Sequence, residues 1–373
     1  MSQLLTQSGA VSGLLAVIAA VAIAQQPIVV PEIPSCRNCA IVAGSEVTLG
    51  DPDTPELNRA PVWVSSGANG QTFVLEEVHE GGPFVYDGSG RFVRRIGGSG
   101  GGPGEFRLAL AALTDAQDSV WVFDVRAARR SVHSPADPWS YVRSVRGPTG
   151  WSDVRLLRDQ RFVTSRPLAS ADGRVTLLQV FGAEGEHIRG IATAEAPGAG
   201  VAPRSLDRAL AASVHGVWAA QRLGYRLDEW TLDGALRRSL VRRADWFPTR
   251  EVDPGATDTR APLPVLQSLR VDDRGRLWIA VTRAAPSWRE GVGTPSVRAG
   301  DVVGWTLLDR IPQLLYETVV DVIDPDRGAL IATTVIPGFY PWLLADGRIA
   351  GYRTDEDQVP RVVVRALRLT GAP

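Results

Sequence analysis

One short phrase occurs six times along the chain: an apolar stretch, a tight polar turn and a second apolar or aromatic stretch. The six copies are PVWVSSGANGQTFVL at 61–75, LALAALTDAQDSVWVFD at 108–124, WSDVRLLRDQRFVTS at 151–165, RALAASVHGVWAAQ at 208–221, LQSLRVDDRGRLWIAV at 266–281 and FYPWLLADGRIAGY at 339–352. Asn-Gly, Asp-Gly and related pairs supply the positive φ angles that two-residue hairpin turns require. Each copy therefore predicts a β-hairpin, and such a repeat indicates a repetitive all-β architecture.

A second hairpin phrase follows each of the first five copies, at 84–97, 131–145, 176–191, 228–241 and 319–334. After the sixth copy only one clear strand remains, at 360–369, and the stretch at about 39–50 is the obvious donor of the missing strand. Two hairpins make a four-stranded sheet, which is one blade of a β-propeller. The sequence therefore predicts an all-β, six-bladed β-propeller of four-stranded antiparallel blades, closed by the N-terminal strand in the last blade.

Ring closure has a physical reason. A single blade cannot bury both of its faces, so blades pack against one another around a ring. A borrowed N-terminal strand joins the first and last blades and leaves no long sheet edge exposed between the termini. Aromatic residues fall at matching places in five of the hairpins: Phe73, Trp121, Phe162, Trp218 and Trp278. A degenerate seventh blade within 284–318 is the alternative to six.

One region resembles the NHL-repeat family of β-propellers. The matching residues are Asp87-Gly88-Ser89-Gly90-Arg91-Phe92, Gly97 and Gly102-Pro103-Gly104-Glu105-Phe106, followed by VWVFDVRAARRSV at 120–132 with Asp124 and Arg129 or Arg130 at the family's acidic and basic places. The match covers roughly 84–132 and becomes a generic blade pattern elsewhere. The chain also resembles secreted bacterial six-bladed propellers with an N-terminal cysteine pair. Both resemblances imply a fold and no particular reaction.

The N-terminus predicts export. Residues 14–24, LLAVIAAVAIA, form an apolar run that is too short to span a bilayer, and Ala22-Ile23-Ala24 is a small-x-small cleavage site. We therefore expect a signal peptide at 1–24, a linker with the cysteine pair at 25–38 and a single propeller domain at 39–373. The stretch before the run has no Lys or Arg, which leaves a buried N-terminal helix or strand as the alternative.

The two cysteines, Cys36 and Cys39, lie just beyond this site. In an oxidising compartment the simplest state is a local disulfide. Haem attachment would need a His where Ala40 stands, and a zinc site would need further ligands. A redox-active pair remains open, although no helix pattern follows it.

Charge and hydropathy limit the partners. The formal net charge is -1, which does not favour a nucleic-acid partner. No second apolar run is long enough to span a membrane. We expect a periplasmic or extracellular monomer whose mature chain has no transmembrane segment.

Patterns of known catalytic or metal sites are weak in this sequence. Gly97–Gly104 lacks the Lys-Ser/Thr ending of a phosphate-binding loop, so it predicts a connection between blades. Calcium-dependent propeller hydrolases hold their metal with Glu, Asn and Asp from several blades. This chain has only Asn38, Asn58 and Asn69, so a ligand set of that type cannot be assembled from several blades. His79, in an acidic stretch, is the best metal or acid–base candidate, and an acidic surface loop is the competing interpretation. No Gly-x-Ser-x-Gly motif occurs. We assign no catalytic residue, metal or cofactor.

One constellation predicts a ligand site. In a propeller, the loop after the second strand of each blade opens toward one mouth of the central channel. The residues at this place are Arg126, Arg166, Arg222, Arg283 and Arg353, with Glu77 in the first blade. A ring of guanidinium groups would favour an anionic ligand. Because all 40 basic residues are Arg, chance is the competing explanation, and Asp124 and Asp355 could neutralise their neighbours.

The resulting prediction is a non-catalytic propeller that binds a protein or an anionic small molecule outside the cytoplasm. A hydrolase or lyase that acts on an anionic small molecule at the channel mouth is the alternative. Long connections at 243–262 and 284–318 are the places where a protein partner is expected, and a short helix is predicted near 305–316.

Overall fold

The computed structural model describes residues 26–51, 56–76, 81–136, 139–169, 173–195, 205–251, 260–292, 296–298, 301–304, 311–357 and 359–371. These residues form six small antiparallel sheets arranged as blades around an axis, which confirms the predicted fold. Within them, no helix has both the length and the apolar character needed to cross a membrane.

Each blade has four strands, which lie in order from the innermost, next to the axis, to the outermost. The strands of blades 1 to 3 are Pro61–Ser66, Thr72–Glu76, Phe84–Tyr86 and Phe92–Arg95; Ala109–Thr114, Val120–Asp124, Arg129–Ser134 and Ser140–Arg146; Asp153–Leu156, Phe162–Ala169, Arg174–Phe181 and His187–Glu195. The strands of blades 4 to 6 are Arg208–Ala212, Val217–Gln221, Arg226–Trp230 and Leu236–Arg242; Val265–Val271, Leu277–Ala284, Tyr316–Asp324 and Ala329–Pro337; Trp342–Leu343, Arg348–Thr354, Pro360–Thr370 and Ala40–Thr48.

The innermost strand of each blade packs against the innermost strands of its two neighbours, so the ring is closed. We call the upper face the side where the chain passes from the second to the third strand of a blade and from one blade to the next. The opposite side is the lower face. Apolar clusters fill the spaces between blades, and the five matched aromatic side chains of the hairpins are all buried, none more than 3% exposed.

The closing strand is where the sequence predicts it. Ala40–Thr48 pairs antiparallel with Pro360–Thr370 and completes blade 6, with Ile41 opposite Leu369 and Thr48 opposite Val363. The predicted disulfide is present, and its two Cα atoms are 5.4 Å apart.

The segment before the closing strand is more structured than a simple linker. Ile28–Val30 adds a parallel fifth strand to the outer edge of blade 4, and Val30 is fully buried. The backbone N–H and the hydroxyl of Ser35 both donate to the carbonyl of Leu330 in blade 5, at 2.7 and 3.0 Å. Cys36 Sγ lies 3.9 Å from the carbonyl oxygen of Gly371, next to blade 6. The segment therefore crosses the rims of three consecutive blades.

The described parts of the long connections lie on the upper face. Between the second and third strands of blade 5, the described residues form a hairpin of Ser296–Arg298 with Asp301–Gly304 and a short helix at Pro312–Leu315. They contain no further blade, and residues 305–310 lie outside the described part. Gln313 of this helix exchanges hydrogen bonds with the backbone of Thr354 in blade 6, at 2.8 and 3.2 Å. Minor elements elsewhere are a 3-10 turn at Ala68–Gly70 and a short parallel pairing of Gly98–Ser99 with Glu105–Phe106.

Candidate functional site: the central channel

The innermost strands of all six blades enclose a channel with a cavity of about 880 Å³. A cavity of this size is typical of small-molecule sites. The innermost strands of blades 2 and 4, ALAALT and RALAA, have three alanines each, and these short side chains leave room at the axis. The aromatic side chains in the channel come from blade 1 and from blade 6 or its entry, and the arginines come from blades 3, 4 and 5.

Blade 3 contributes a carboxylate and a guanidinium group from the same strand. Asp153 and Arg155 are two residues apart, so their side chains point to the same side of the strand. The Asp153 side chain is only 3% exposed, and its Oδ1 lies 2.5 Å from Arg155 Nη1. Its Oδ2 accepts a hydrogen bond from the backbone N–H of Leu210 at 2.8 Å, which fastens blade 3 to blade 4. Asp153 is therefore a rigid support for Arg155.

Arg155 reaches across the channel. Its Cζ lies 5.5 Å from the ring centre of Trp63 in blade 1, close enough for a cation–π interaction. Both of its hydrogen bonds, to Asp153 Oδ1 and to the carbonyl of Val154 at 2.7 Å, are made through Nη1. A guanidinium group has five N–H donors. Among the described residues, none accepts from Nε or Nη2 of Arg155, and its side chain is 21% exposed in the channel.

Arg222 supplies a second guanidinium group near the upper mouth. Its Nη1 donates to the carbonyls of Gln267 and Leu266 at 2.9 and 3.4 Å, and its Nη2 donates to the carbonyl of Ser152 at 3.4 Å. Nη2 also lies 3.9 Å from Asp153 Oδ2. This side chain, 19% exposed, therefore links blades 3, 4 and 5 where it borders the cavity.

Aromatic side chains line the other side of the channel. Trp63 belongs to blade 1, and Phe339, Trp342 and Tyr352 belong to blade 6 or its entry. The rings of Phe339 and Tyr352 meet edge to face at 5.4 Å, and those of Trp342 and Tyr352 are 6.4 Å apart. The indole N–H of Trp63 donates to the carbonyl of Ala112 at 2.9 Å, which fixes the ring. In a six-membered ring, blades 1 and 6 lie opposite blades 3 and 4, so the channel has an aromatic wall and a basic wall.

The structure separates the arginines that the sequence grouped at one mouth. Of the five, only Arg222 lines the cavity among the described residues. Arg283 pairs with Glu317 at 2.7 Å and lies over Trp246, and Arg353 pairs at 3.2 Å with Glu46 on the outermost strand of blade 6. Their positions along each second strand are similar, but their side chains turn toward neighbouring strands rather than the axis.

The remaining members of that group are away from the cavity or outside the described residues. Arg126 is exposed and Arg166 is half-buried, and neither borders the cavity. Residues 77–80, which include Glu77 and His79, lie outside the described part of the chain. The predicted ring is therefore not assembled as one site among the residues that the structure describes.

Many Asp–Arg pairs have a structural role in the turns. In a recurring arrangement, one carboxylate oxygen accepts backbone N–H groups of a turn and the other accepts from a following Arg. The pairs are Asp87–Arg91, Asp159–Arg161, Asp272–Arg276, Asp346–Arg348 and Asp355–Arg361. The Ser89 hydroxyl, with the turn N–H groups and Arg91, lowers the pKa of Asp87 to about 2. Asp355 thus pairs with Arg361, and its suggested role beside Arg353 is replaced by this turn contact.

The segment that resembles NHL repeats also makes structural contacts. Asp124 is buried and accepts the backbone N–H groups of Arg107, Leu108 and Ala127. Arg129 donates to carbonyls of the glycine-rich connection, including that of Gly102 at 2.9 Å. Gly97–Gly104 is accordingly a connection between blades 1 and 2.

Sequence reasoning did not single out Asp153, Arg155 or Trp63. A usable signal was present in the third hairpin phrase, where Asp-Val-Arg alternates charged and apolar residues on an innermost strand. Charged side chains two apart on such a strand share one face, and in a propeller that strand borders the axis. Within the described residues, no group of three or more His, Cys, Asp or Glu is placed to hold a metal ion.

Comparisons with known proteins support the fold. No protein-family model matches the sequence, and no curated protein matches it significantly. A candidate exported protein of Bacteroides fragilis has a similar structure, with a TM-score of 0.54 and 12% identity over 92% of this chain and 100% of that one. A gluconolactonase of Xanthomonas campestris (TM-score 0.45, 14% identity, 92% and 98% covered) and virginiamycin B lyase of Staphylococcus aureus (0.40, 8%, 88% and 100%) are more distant. At 12% identity, the similarity to the Bacteroides fragilis protein shows the fold alone.

Proposed function

We propose that this protein is a non-catalytic binding propeller outside the cytoplasm, and that it holds a small anion in its central channel at Arg155. The observation that carries this proposal is the position of Arg155. Its Nη1 is engaged by Asp153 and Val154, its Nε and Nη2 meet no acceptor among the described residues, and the residue lines a cavity of about 880 Å³.

The surroundings of Arg155 favour anion binding. Asp153 and the stack on Trp63 fix the guanidinium group before a ligand arrives, so little side-chain entropy is lost on binding. The group is mostly shielded from water, where a charge-assisted hydrogen bond is stronger than at an exposed surface. Arg222 borders the same cavity and adds positive charge beside it.

The proposed location rests on the N-terminal segment. A disulfide between Cys36 and Cys39 fits an oxidising compartment, and the apolar run at 14–24 fits an export signal. Periplasmic and extracellular locations are both compatible with this proposal. The alternative hydrolase or lyase activity has no particular observation in its favour and stays a prediction.

The proposal is tested by Arg155→Gln. Acetate and inorganic phosphate are titrated in low-salt buffer and followed by tryptophan fluorescence and calorimetry. We expect the wild-type protein to bind at least one of them, and the variant to lose about tenfold or more in affinity, because a charge-assisted hydrogen bond is removed. Arg155→Lys keeps the charge without the planar fork, and its anion affinity should lie between those of the wild type and Arg155→Gln.

Arg327→Gln is the matched control, because Arg327 is 79% exposed on the rim of blade 5 and its loss removes the same charge. We expect its affinity to equal that of the wild type. Equal anion affinity in the wild type and Arg155→Gln, or binding of neither anion by the wild type, would contradict the proposal. Thermal unfolding of each variant shows that the fold is retained.

A further inference from the structure

We infer that the channel ligand is an aromatic monocarboxylate, an inference that rests on the proposed function and names its ligand class. Three features of the same cavity support it: the free edge of Arg155, the aromatic wall, whose Trp63 contacts Arg155 and whose other members come from blade 6 or its entry, and the acidic lower mouth.

The edge of Arg155 that meets no acceptor among the described residues matches a carboxylate. Nε and Nη2 form one side of the planar guanidinium fork, and they bind two oxygens of a planar anion in parallel. The opposite edge, through Nη1, is already occupied by Asp153 and Val154. A carboxylate uses both free donors at once, whereas a single hydroxyl or carbonyl oxygen uses them poorly.

The aromatic wall matches a flat apolar group. Trp63, Phe339, Trp342 and Tyr352 border the cavity on the side of blades 1 and 6. Aromatic rings prefer offset or edge-to-face contacts, which a ligand ring can make with Trp342 while its carboxylate points toward blade 3. An aliphatic acid of the same charge would bury less surface against this wall.

The lower end of the channel disfavours further negative charge. Asp115, Asp118 and Asp346, in the turns after the innermost strands of blades 2 and 6, border the same cavity. Arg270 also borders it and Arg348 pairs with Asp346 at 2.7 Å, so the carboxylates without an ion pair among the described residues are those of Asp115 and Asp118. Asp153 already lies against the basic wall. A ligand with two or three carboxylates would bring its additional charges close to these carboxylates, and like charges at short range repel. These contacts favour a ligand with a single negative charge.

The experiment compares four probes by calorimetry: 2-naphthoate, acetate, citrate and the uncharged 2-naphthalenemethanol. We expect 2-naphthoate to bind about tenfold or more tightly than acetate or citrate, because ring contacts and burial add to the carboxylate contact. The uncharged alcohol should bind more weakly than 2-naphthoate, and Arg155→Gln should weaken 2-naphthoate and acetate alike.

Trp342→Leu separates the aromatic wall from the anion site. We expect it to weaken 2-naphthoate about fivefold or more and to leave acetate unchanged, because it removes only ring contacts. Trp230→Leu, which alters a partly buried tryptophan of blade 4 away from the cavity, is the matched control. Trp342→Phe retains a ring and should recover much of the affinity if the first variant is destabilised.

The outcomes distinguish this inference from the proposed function. If acetate and 2-naphthoate bind with equal affinity and both depend on Arg155, the aromatic assignment is overturned and the anion site remains in place. Citrate binding more tightly than 2-naphthoate would overturn the single-charge assignment. If 2-naphthoate and the alcohol bind equally and Arg155→Gln has no effect, the anion site itself is wrong.

Discussion

Two clusters of charged and phenolic side chains, one between two blades and one within the closing blade, use the same chemistry under different exposure. We call Arg242, Asp321 and Tyr225, between blades 4 and 5, the buried lock. We call Glu46, Tyr340, Arg353 and Arg365, in the closing blade 6, the closure lock. Both join a carboxylate to guanidinium and phenol groups, but one is enclosed by protein and the other reaches solvent.

The buried lock is almost completely dry. Arg242 Nε lies 2.8 Å from Asp321 Oδ2, and the two side chains are 3% and 0% exposed. Tyr225 donates its hydroxyl to the same oxygen at 2.5 Å, and the Arg242 guanidinium lies 5.3 Å from its ring centre. Burial, followed by the charge of Asp321, raises the pKa of Tyr225 well above its usual value. The phenol therefore stays protonated and donates.

The closure lock is half open. Glu46, on the closing strand, lies 3.1 Å from Arg365 and 3.2 Å from Arg353, whose side chains are 30% and 48% exposed. Tyr340 donates its hydroxyl to Glu46. Burial raises the pKa of Glu46, but the hydrogen bonds from Tyr340 and Arg365 and the charges of the two arginines outweigh it and leave the pKa below its usual value. Burial and the contact with Glu46 raise the pKa of Tyr340 to about 12.

The contrast shows how each joint depends on its charges. Removing one partner from a dry ion pair leaves an uncompensated buried charge, which is costly. Water and salt can replace much of what an exposed pair contributes. We therefore expect the joint between blades 4 and 5 to depend strongly on its charges, and ring closure to depend mainly on strand pairing and apolar packing.

The largest expected effect comes from breaking the buried lock with Asp321→Asn. The substitution leaves Arg242 charged and buried, and we expect a loss of about 3–5 kcal/mol in the free energy of unfolding, measured by urea denaturation. Asp326→Asn is the matched control, because Asp326 is 81% exposed and pairs with Arg238; we expect a loss below about 1 kcal/mol. The triple variant Tyr225→Phe/Arg242→Met/Asp321→Leu, which also removes the hydroxyl that would lose its acceptor, should recover most of the loss. Similar losses in the two Asp→Asn variants would show that the buried pair acts no differently from a surface pair.

A smaller effect is expected from the closure lock. Glu46→Gln removes the charge but keeps hydrogen-bonding capacity, and we expect a loss of about 1 kcal/mol at neutral pH and low salt, decreasing as salt is added. Glu184→Gln, which affects an exposed pair with Arg143, should cost about 0.5 kcal/mol or less. If Glu46→Gln lowered the free energy of unfolding as much as Asp321→Asn does, the distinction between the two locks would be removed.

The smallest effect is the pH dependence of the closure lock. Because the pKa of Glu46 is lower in the folded state, its stabilisation is fully present above its unfolded pKa of about 4.3 and is lost as pH falls through the folded value. The stability difference between the wild type and Glu46→Gln should therefore be constant near neutral pH and shrink toward zero below about pH 4. Urea denaturation at several pH values measures this difference. A difference that persists unchanged into acid would mean that Glu46 has no lowered pKa.

The repeat and its turns made the fold predictable. Six hairpin phrases, each with a turn that accepts positive φ, specify four-stranded blades from local sequence alone. In the second hairpin phrase of blade 1, Gly90 has φ near 89°, and a side chain there would meet the carbonyl oxygen of Thr48 at 2.7 Å. The last blade lacked one strand in the hairpin pattern, and the stretch at 39–50 was the candidate to supply it. By contrast, the strand at Ile28–Val30 has only three residues and is stabilised by packing on blade 4, which local sequence does not reveal.

The site was less predictable because it depends on which neighbour each arginine meets. Arg222 and Arg353 occupy similar places after or near the end of a second strand. Arg222 reaches carbonyls of innermost strands, whereas Arg353 meets Glu46, which is more than 300 residues away in sequence. With 40 arginines in the chain, sequence spacing could not distinguish these partners.

The sequence by itself determined the number of blades, the closing strand and the cysteine pair, because hairpin periodicity and turn residues act over short distances. Only the tertiary structure decided that Asp153 orients Arg155 toward Trp63 and that basic and aromatic walls face each other across the channel. These contacts join blades 1, 3 and 6, and closing the ring is what brings such distant residues to a common axis.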